Sequence, residues 1–264
     1  MSVIDEARRK KSRAIAARDK GEFQQAEFII LEAEQKLRDA LEPFEERRKA
    51  ATSDETAQKP GVEEIKIREQ LSHILGSKGG IYRRWKKHEE SARAYDEGYV
   101  VEKWVLDHGK DNSYNLVQRL VARALIQPLA IKDNIEVLNL PLRNKLLEAK
   151  TEIERQRSPL GQRENDEYAA ADLALVSLLL GDNEWELVLQ KEFLKLDPAI
   201  NDFIPKKALP SHYAVEVTLE VINDLRCTLE KRQDGLSHQS KDLARAADIL
   251  KDYLQRPKQS GLGG

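Results

Sequence analysis

Residues Gly79–Gly98 read GGIYRRWKKHEESARAYDEG. Leu75, Gly79 and Tyr82 recur at helical spacing before the cationic centre of this stretch, and Ser91, Tyr95 and Gly98 recur at the same spacing after it. Glycines at the two ends let two helices approach closely, and the tyrosines fill the space beside them. The stretch therefore predicts a helical hairpin, within a unit spanning Ser72 to Val105. Two other segments repeat the arrangement. In Ala7 to Ala40, Gly21 turns the chain, Phe23 follows, and Ala26, Ile30 and Ala33 sit where a second helix presses on Ala14 and Ala17. In Glu167 to Ile200, Leu173 and Ala174 lead to Gly181-Asp182, then Trp185, Phe193 and Leu194 precede Asp197-Pro198.

The rest of the chain reads as helix punctuated by breaks. Ile4 to about Arg48 is helical apart from the turn at Gly21, so residues 1–50 are expected to form an N-terminal hairpin. Residues 51–61 (ATSDETAQKPG) have no periodicity and gather Ser, Thr, Asp, Pro and Gly, the composition of a linker. Residues 62–255 are expected to form the helical array proper. Glu63 to Leu75 and Gly79 to Trp85 rebuild a helical pattern, and Glu89 to Leu106, Ser113 to about Leu129 and Leu142 to Arg157 extend it, with bends near His108–Asn112 and Leu138–Pro141. Asn165 to Leu180 with Glu184 to Leu196, then Ser211 to Arg232 with Ser237 to Leu254, complete the pairs. Residues 256–264 are expected to be a disordered tail, and the closing Gly263-Gly264 a flexible end.

Composition agrees with an all-α class. Of 264 residues, 34% are charged and 40% hydrophobic, the balance of amphipathic helices, and strands have little support. Lys and Arg total 44 against 46 for Asp and Glu, so no global charge draws the chain to nucleic acid or an anionic membrane. The single cysteine, Cys227, suits a reducing compartment, and the cytoplasm is the expected location. Met1 to Lys20 is charged throughout and carries no targeting pattern, and the longest apolar runs, such as Leu173 to Leu180, are too short to span a bilayer.

The three units resemble the tetratricopeptide repeat superfamily, whose two-helix unit of about 34 residues interlocks small and bulky positions and buries its face only by stacking. The spacing from Gly181 to Pro198 is similar to that family's own. The order Gly79, Tyr82, Tyr95, Gly98, then Tyr114 and Asn115, then Leu180, Gly181 and Asp182 also resembles the divergent TRAF-binding-like helical region found beside signalling kinases, bacterial relatives of which accompany defence and signalling effectors. The resemblance implies an irregular helical-hairpin array, an α-solenoid, because the unit starts at Ala7, Ser72 and Glu167 are spaced more widely than in a regular array. It implies a non-catalytic scaffold, adaptor or regulatory subunit. In that family the first helix of each unit lines a concave groove, and the matching positions here are Arg8, Lys11, Arg18, His73, Arg83 and Arg84.

Those cations suit an acidic segment or a free carboxylate of a partner protein, since forked and multiple donors match carboxylate oxygens. The competing reading makes Arg8–Lys11 and Arg83–Lys87 solvated helix faces paired with nearby Glu. In the third unit the equivalent positions, Tyr168, Ala171, Leu175, Leu178 and Leu179, are apolar and read as core. Chemistry finds little footing. His73, His88, His108, His212 and His238 lack metal-ligand spacing, so no metal or cofactor is expected. Cys227, within Val221 to Leu229, reads as a small buried hydrophobe. Gly76–Gly80 (GSKGG) lacks the spacing of a phosphate loop and reads as a helix contact. The alternative function is a nucleic-acid surface at Tyr82–His88 (YRRWKKH), which interleaves cations and aromatics.

Overall fold

The computed structural model describes residues 2–50, 60–109, 112–126, 130–132, 135–137, 140–159, 163, 166–197, 202–203, 209–232 and 238–256. It is an all-α protein, with two short antiparallel strand pairs as its only extended pairing among these residues. The chain divides into two compact units, Met1–Ile126 and Gln127–Gly264. The division expected at residues 51–61 falls inside the first unit, because the N-terminal hairpin packs directly on the helix that follows. Residues 51–59 and 257–264, and with them most of the expected linker and tail, lie outside the described residues.

The first unit holds five helices: α1 (Val3–Asp19), α2 (Phe23–Ala50), α3 (Val62–Arg84), α4 (His88–Leu106) and α5 (Tyr114–Ile126). Ser2 caps α1 by accepting from the Asp5 amide at 3.1 Å, and Asp5 and Glu6 sit at the positive end of the helix dipole. Successive helices pack as antiparallel hairpins, and α3 also lies against both α1 and α5. Ala14 and Ala17 on α1 meet Ala26, Ile30 and Ala33 on α2, all buried in one apolar cluster. The alanines keep the two backbones close, and Ile30 and Leu37 fill the remaining space.

Gly21 turns the chain between α1 and α2 at φ 80°, in the left-handed region that favours glycine. A Cβ there would meet nothing within 4 Å, so Gly21→Ala isolates backbone strain from packing. The variant is expected to lose roughly 1–2 kcal/mol in urea denaturation, with an unchanged denaturant slope.

Helix α3 is continuous from Val62 to Arg84, where the sequence suggests two pieces around Gly76. Gly76, Gly79 and Gly80 are interior to it, and the first two lie under aromatic rings. A Cβ on Gly79 would sit 2.8 Å from three ring carbons of Tyr95, and one on Gly76 would sit 2.7 Å from the ring of Tyr114. The small residues are contacts between helices and not breaks, so close approach outweighs the helix-propensity cost of about 1 kcal/mol per glycine.

The second unit contains β1 (Ala130–Lys132) paired with β2 (Ile135–Val137), α6 (Leu140–Arg157), α7 (Glu167–Leu180), α8 (Trp185–Leu187), β3 (Leu196–Asp197) paired with β4 (Asp202–Phe203), α9 (His212–Arg232) and α10 (His238–Gln255). Helix α7 is buried on nearly every side, from Ala169 to Leu179, and packs on α6, α9 and α10. Asp166 caps it by accepting from the amides of Tyr168 (2.8 Å) and Ala169 (3.3 Å), and Gly181 ends it at φ 65°. Ala171, Leu175, Leu178 and Leu179 are core as expected, whereas Tyr168, beside the cap, is exposed.

Three local expectations need correction. The ordinary helix expected over Glu184–Leu196 is a single α-turn, α8, running into a π-helical stretch, Val188–Phe193. The strand pairs are short but present where none is expected. Cys227 is exposed, because the buried face of α9 is Val215, Thr218, Val221, Ile222, Leu225 and Leu229, and position 227 falls opposite 225 and 229 on the helix. The turn at Pro198 and the end of the third unit lie outside the described residues, as does Leu138. Among the described residues, no helix is long and apolar enough to cross a membrane.

Candidate functional site

All six candidate residues lie on two neighbouring helices, Arg8, Lys11 and Arg18 on α1 and His73, Arg83 and Arg84 on α3. The two helices run parallel, in a register fixed by three contacts. Arg8 bonds Gln70, the guanidinium of Arg18 lies beside Gly80, and Asp19 pairs with Arg84. The residues separate into two groups along this seam.

At the end of the seam near the α1–α2 turn, the cations are engaged within the fold. Arg18 is buried and donates from Nε and Nη2 to Asp19 Oδ1 at 2.9 and 2.8 Å, and the same carboxylate oxygen accepts from Arg84. Arg83 is only 4% exposed. It faces the same way as Gly79, one turn earlier, and lies against the phenol of Tyr95. Burial pushes the Tyr95 hydroxyl up, and nearby Arg83 and its bond to Tyr114 partly offset that effect. Arg83 is thus a core cation and not a groove-lining one. Its place in the expected binding face is corrected by the phase of α3, which turns positions 76, 79 and 83 toward α4 and α5.

At the other end, Arg8, Lys11 and His73 gather beside Gln70. Arg8 donates from Nε to Gln70 Oε1 at 3.0 Å. Among the described residues neither Arg8 nor Lys11 forms a salt bridge with a carboxylate. Burial, then the charge of Arg8, holds the Lys11 ammonium below its usual range. His73 is depressed to about 4, first by burial, then by Lys11 and Arg8, so its ring is neutral at pH 7. Two cations and a neutral imidazole are held together with no carboxylate in salt-bridge contact among the described residues, which is an arrangement open to an anion.

The cation-aromatic run Tyr82–His88 is largely taken up by packing. The Tyr82 hydroxyl donates to Glu27 Oε1 at 2.8 Å, and the ring of Trp85 stacks on Phe23 with centroids 5.8 Å apart. Lys87 Nζ sits 3.3 Å above the Trp85 ring. Together they clamp the α3–α4 turn to the start of α2. Among the described residues no group of three or more His, Cys, Asp or Glu side chains is placed to hold a metal ion.

Two residues absent from the expected set, Gln70 and Asp19, organise this surface, and Asn115, expected only as part of the family resemblance, ties α5 to α3 and α4. Gln70 lies one turn before His73 and so shares its face, a signal present in the spacing. Asp19 gathers Arg18 and Arg84, and only the parallel α1–α3 register reveals it. The Nδ2 of Asn115 donates to the Ser72 carbonyl (3.1 Å) and hydroxyl (2.9 Å), and its backbone amide donates to the buried carboxylate of Glu102 at 2.9 Å. A comparison with protein-family models, curated proteins and solved structures found no match to this chain.

Proposed function

We propose that the chain is a non-catalytic protein-binding scaffold, an irregular tetratricopeptide-like array of helical hairpins that docks an acidic segment of an effector in a signalling or defence assembly of the cytoplasm. The observation that carries this reading is the group Arg8, Lys11 and His73. These residues sit on the first helices of two consecutive hairpins, side by side, with no salt bridge to a carboxylate of the described chain. A partner's Asp and Glu side chains supply what the fold omits. The packing order supports the array as well, since α3 touches both α1 and α5 while α2 and α4 join them as second helices.

The nucleic-acid alternative through Tyr82–His88 is weakened by the engagement of Tyr82, Arg83 and Trp85 inside the unit. Arg83 is also a poor target for testing the groove, because a buried carboxylate in its place would disturb the core whatever the function. The sharper test is Arg8→Glu combined with Lys11→Glu in the full chain, assayed by capture of partners from the native cell. Affinity for an acidic partner segment is expected to fall at least about tenfold with helicity unchanged. An identical set of partners retained by the double variant would refute the groove.

A further inference from the structure

Arginine carries donors only, so the bond from Arg8 to Gln70 fixes the orientation of the Gln70 amide and leaves Nε2 as its other end. Gln70 is 3% exposed, and this Nε2 is buried without a hydrogen-bond partner among the described residues. A buried amide donor without an acceptor is costly, and native folds rarely leave one without a reason. Lys11 stands one turn beyond Arg8 and His73 one turn beyond Gln70, on parallel helices in contact. Four side chains capable of donating therefore meet at one spot, and the one acceptor shown in use there, Gln70 Oε1, is already taken by Arg8.

We propose that Arg8, Lys11, Gln70 and His73 form an oxyanion site whose occupancy is coupled to the uptake of a proton by His73. The location rests on the groove reading above, and the proton goes beyond it. A carboxylate or a tetrahedral anion seated here accepts from Gln70 Nε2 and from the remaining N–H groups of Arg8 and Lys11. It also supplies the negative charge that lets the His73 imidazole take up a proton from solvent and become a further donor.

Without the anion, His73 titrates near 4, held there by burial and by Lys11 and Arg8. Those two groups, both on α1, are the charged neighbours acting on it among the described residues, with none from α2, α4 or α5. Asp5, one turn before Arg8, is tied to Ser2, and the hydroxyl of Ser77 is spent on the His73 carbonyl. A bound anion raises the His73 value, so the complex binds one more proton than the free protein between the two values. Affinity therefore rises as pH falls through the bound-state value and levels off below about 4. Lys11, also held down by burial, adds a shift of the same sign on the alkaline side.

Sulfate, which stays fully ionised through the range, is titrated calorimetrically into the full chain at pH 7.5 and pH 5.0. If the anion returns His73 to its ordinary 6.5, binding tightens about 25-fold at the lower pH. His73→Gln is expected to keep sulfate binding but lose most of that ratio, and Arg8→Gln, at an exposed position, to weaken binding at both pH values. Absence of saturable sulfate binding, or a pH ratio unchanged in His73→Gln, would overturn the site. An end-blocked acidic peptide is then competed against sulfate at pH 7.5. Displacement makes a partner's side-chain carboxylate the natural occupant. Sulfate binding that the peptide does not disturb leaves the oxyanion site standing for a free tetrahedral anion and overturns the acidic groove instead.

Discussion

Gly79→Ala is expected to destabilise the first unit, while the same change one residue later, Gly80→Ala, is expected to stabilise it. Both glycines are interior to α3, where alanine favours the helix by about 1 kcal/mol. Their surroundings decide the sign. A Cβ on Gly79 would lie 2.8 Å from three carbons of the Tyr95 ring, closer than such atoms tolerate. Tyr95 is 1% exposed, fills the space between α3 and α4, stands edge-on to Tyr114 at 6.2 Å, and is hydrogen-bonded through its hydroxyl to Tyr114. It has nowhere to go. Overpacking of this kind costs about 1–3 kcal/mol and more where the neighbour cannot yield, so the net effect is a loss. The Cβ of Gly80→Ala meets only the Tyr95 hydroxyl at 3.5 Å and an Arg18 nitrogen at 3.7 Å, ordinary contact distances. Urea midpoints that move in opposite directions for the two variants would verify this packing, and a gain from Gly79→Ala would show that the helices are not in this register.

The feature from which the helical hairpin was legible is the same one that separates these two glycines. Gly79, Tyr82, Tyr95 and Gly98 recur at helical spacing, and small residues opposite large ones specify a contact. Legibility ended where the partner lies far along the chain. Gly98 serves Asn115 on α5, since a Cβ there would come within 2.7 Å of the Asn115 amide oxygen, and no spacing rule connects the two. The continuity of α3 was hidden for a related reason. Glycine normally interrupts a helix, and only the rings of Tyr114 and Tyr95 explain Gly76 and Gly79 within one. The π-helical stretch Val188–Phe193 depends on backbone hydrogen bonds shifted to a five-residue span, which side-chain periodicity does not encode.

The candidate surface was legible as a set of positions and not as an arrangement. Assigning Arg8, Lys11, Arg18, His73, Arg83 and Arg84 to first helices placed them on α1 and α3, and those helices do adjoin. Which cations remain available depends on a register that only the three-dimensional contacts supply. Asp19 takes Arg18 and Arg84, and the phase of α3 takes Arg83 inward. Arg8 and Lys11 are left without a salt bridge among the described residues beside the neutral His73, and Gln70, absent from the first set, completes them.

Glu102→Leu is expected to cost the first unit several kcal/mol and to loosen α5 before the rest. Glu102, on α4, is 1% exposed, and its two carboxylate oxygens accept from the amides of Asn115 (2.9 Å) and Leu116 (3.1 Å). Both amides belong to the first turn of α5, where backbone N–H groups have no partner within the helix and the dipole favours a negative charge. Leucine is near in size but accepts nothing, so two buried donors are stranded at about 1–3 kcal/mol each. The loss spreads from there. Asn115 also holds Ser72 through its side chain, so freeing its backbone loosens the α3–α5 contact as well. Glu102→Gln keeps one acceptor oxygen and is expected to retain roughly half of the lost stability, which separates the effect of acceptors from that of volume. Hydrogen exchange reads the order of events, and the amides of Asn115 and Leu116 should lose protection in Glu102→Leu ahead of those in α1 and α2. Protection at those amides equal to that of the unaltered chain would mean that another group caps α5 and that Glu102 is buried for a different reason.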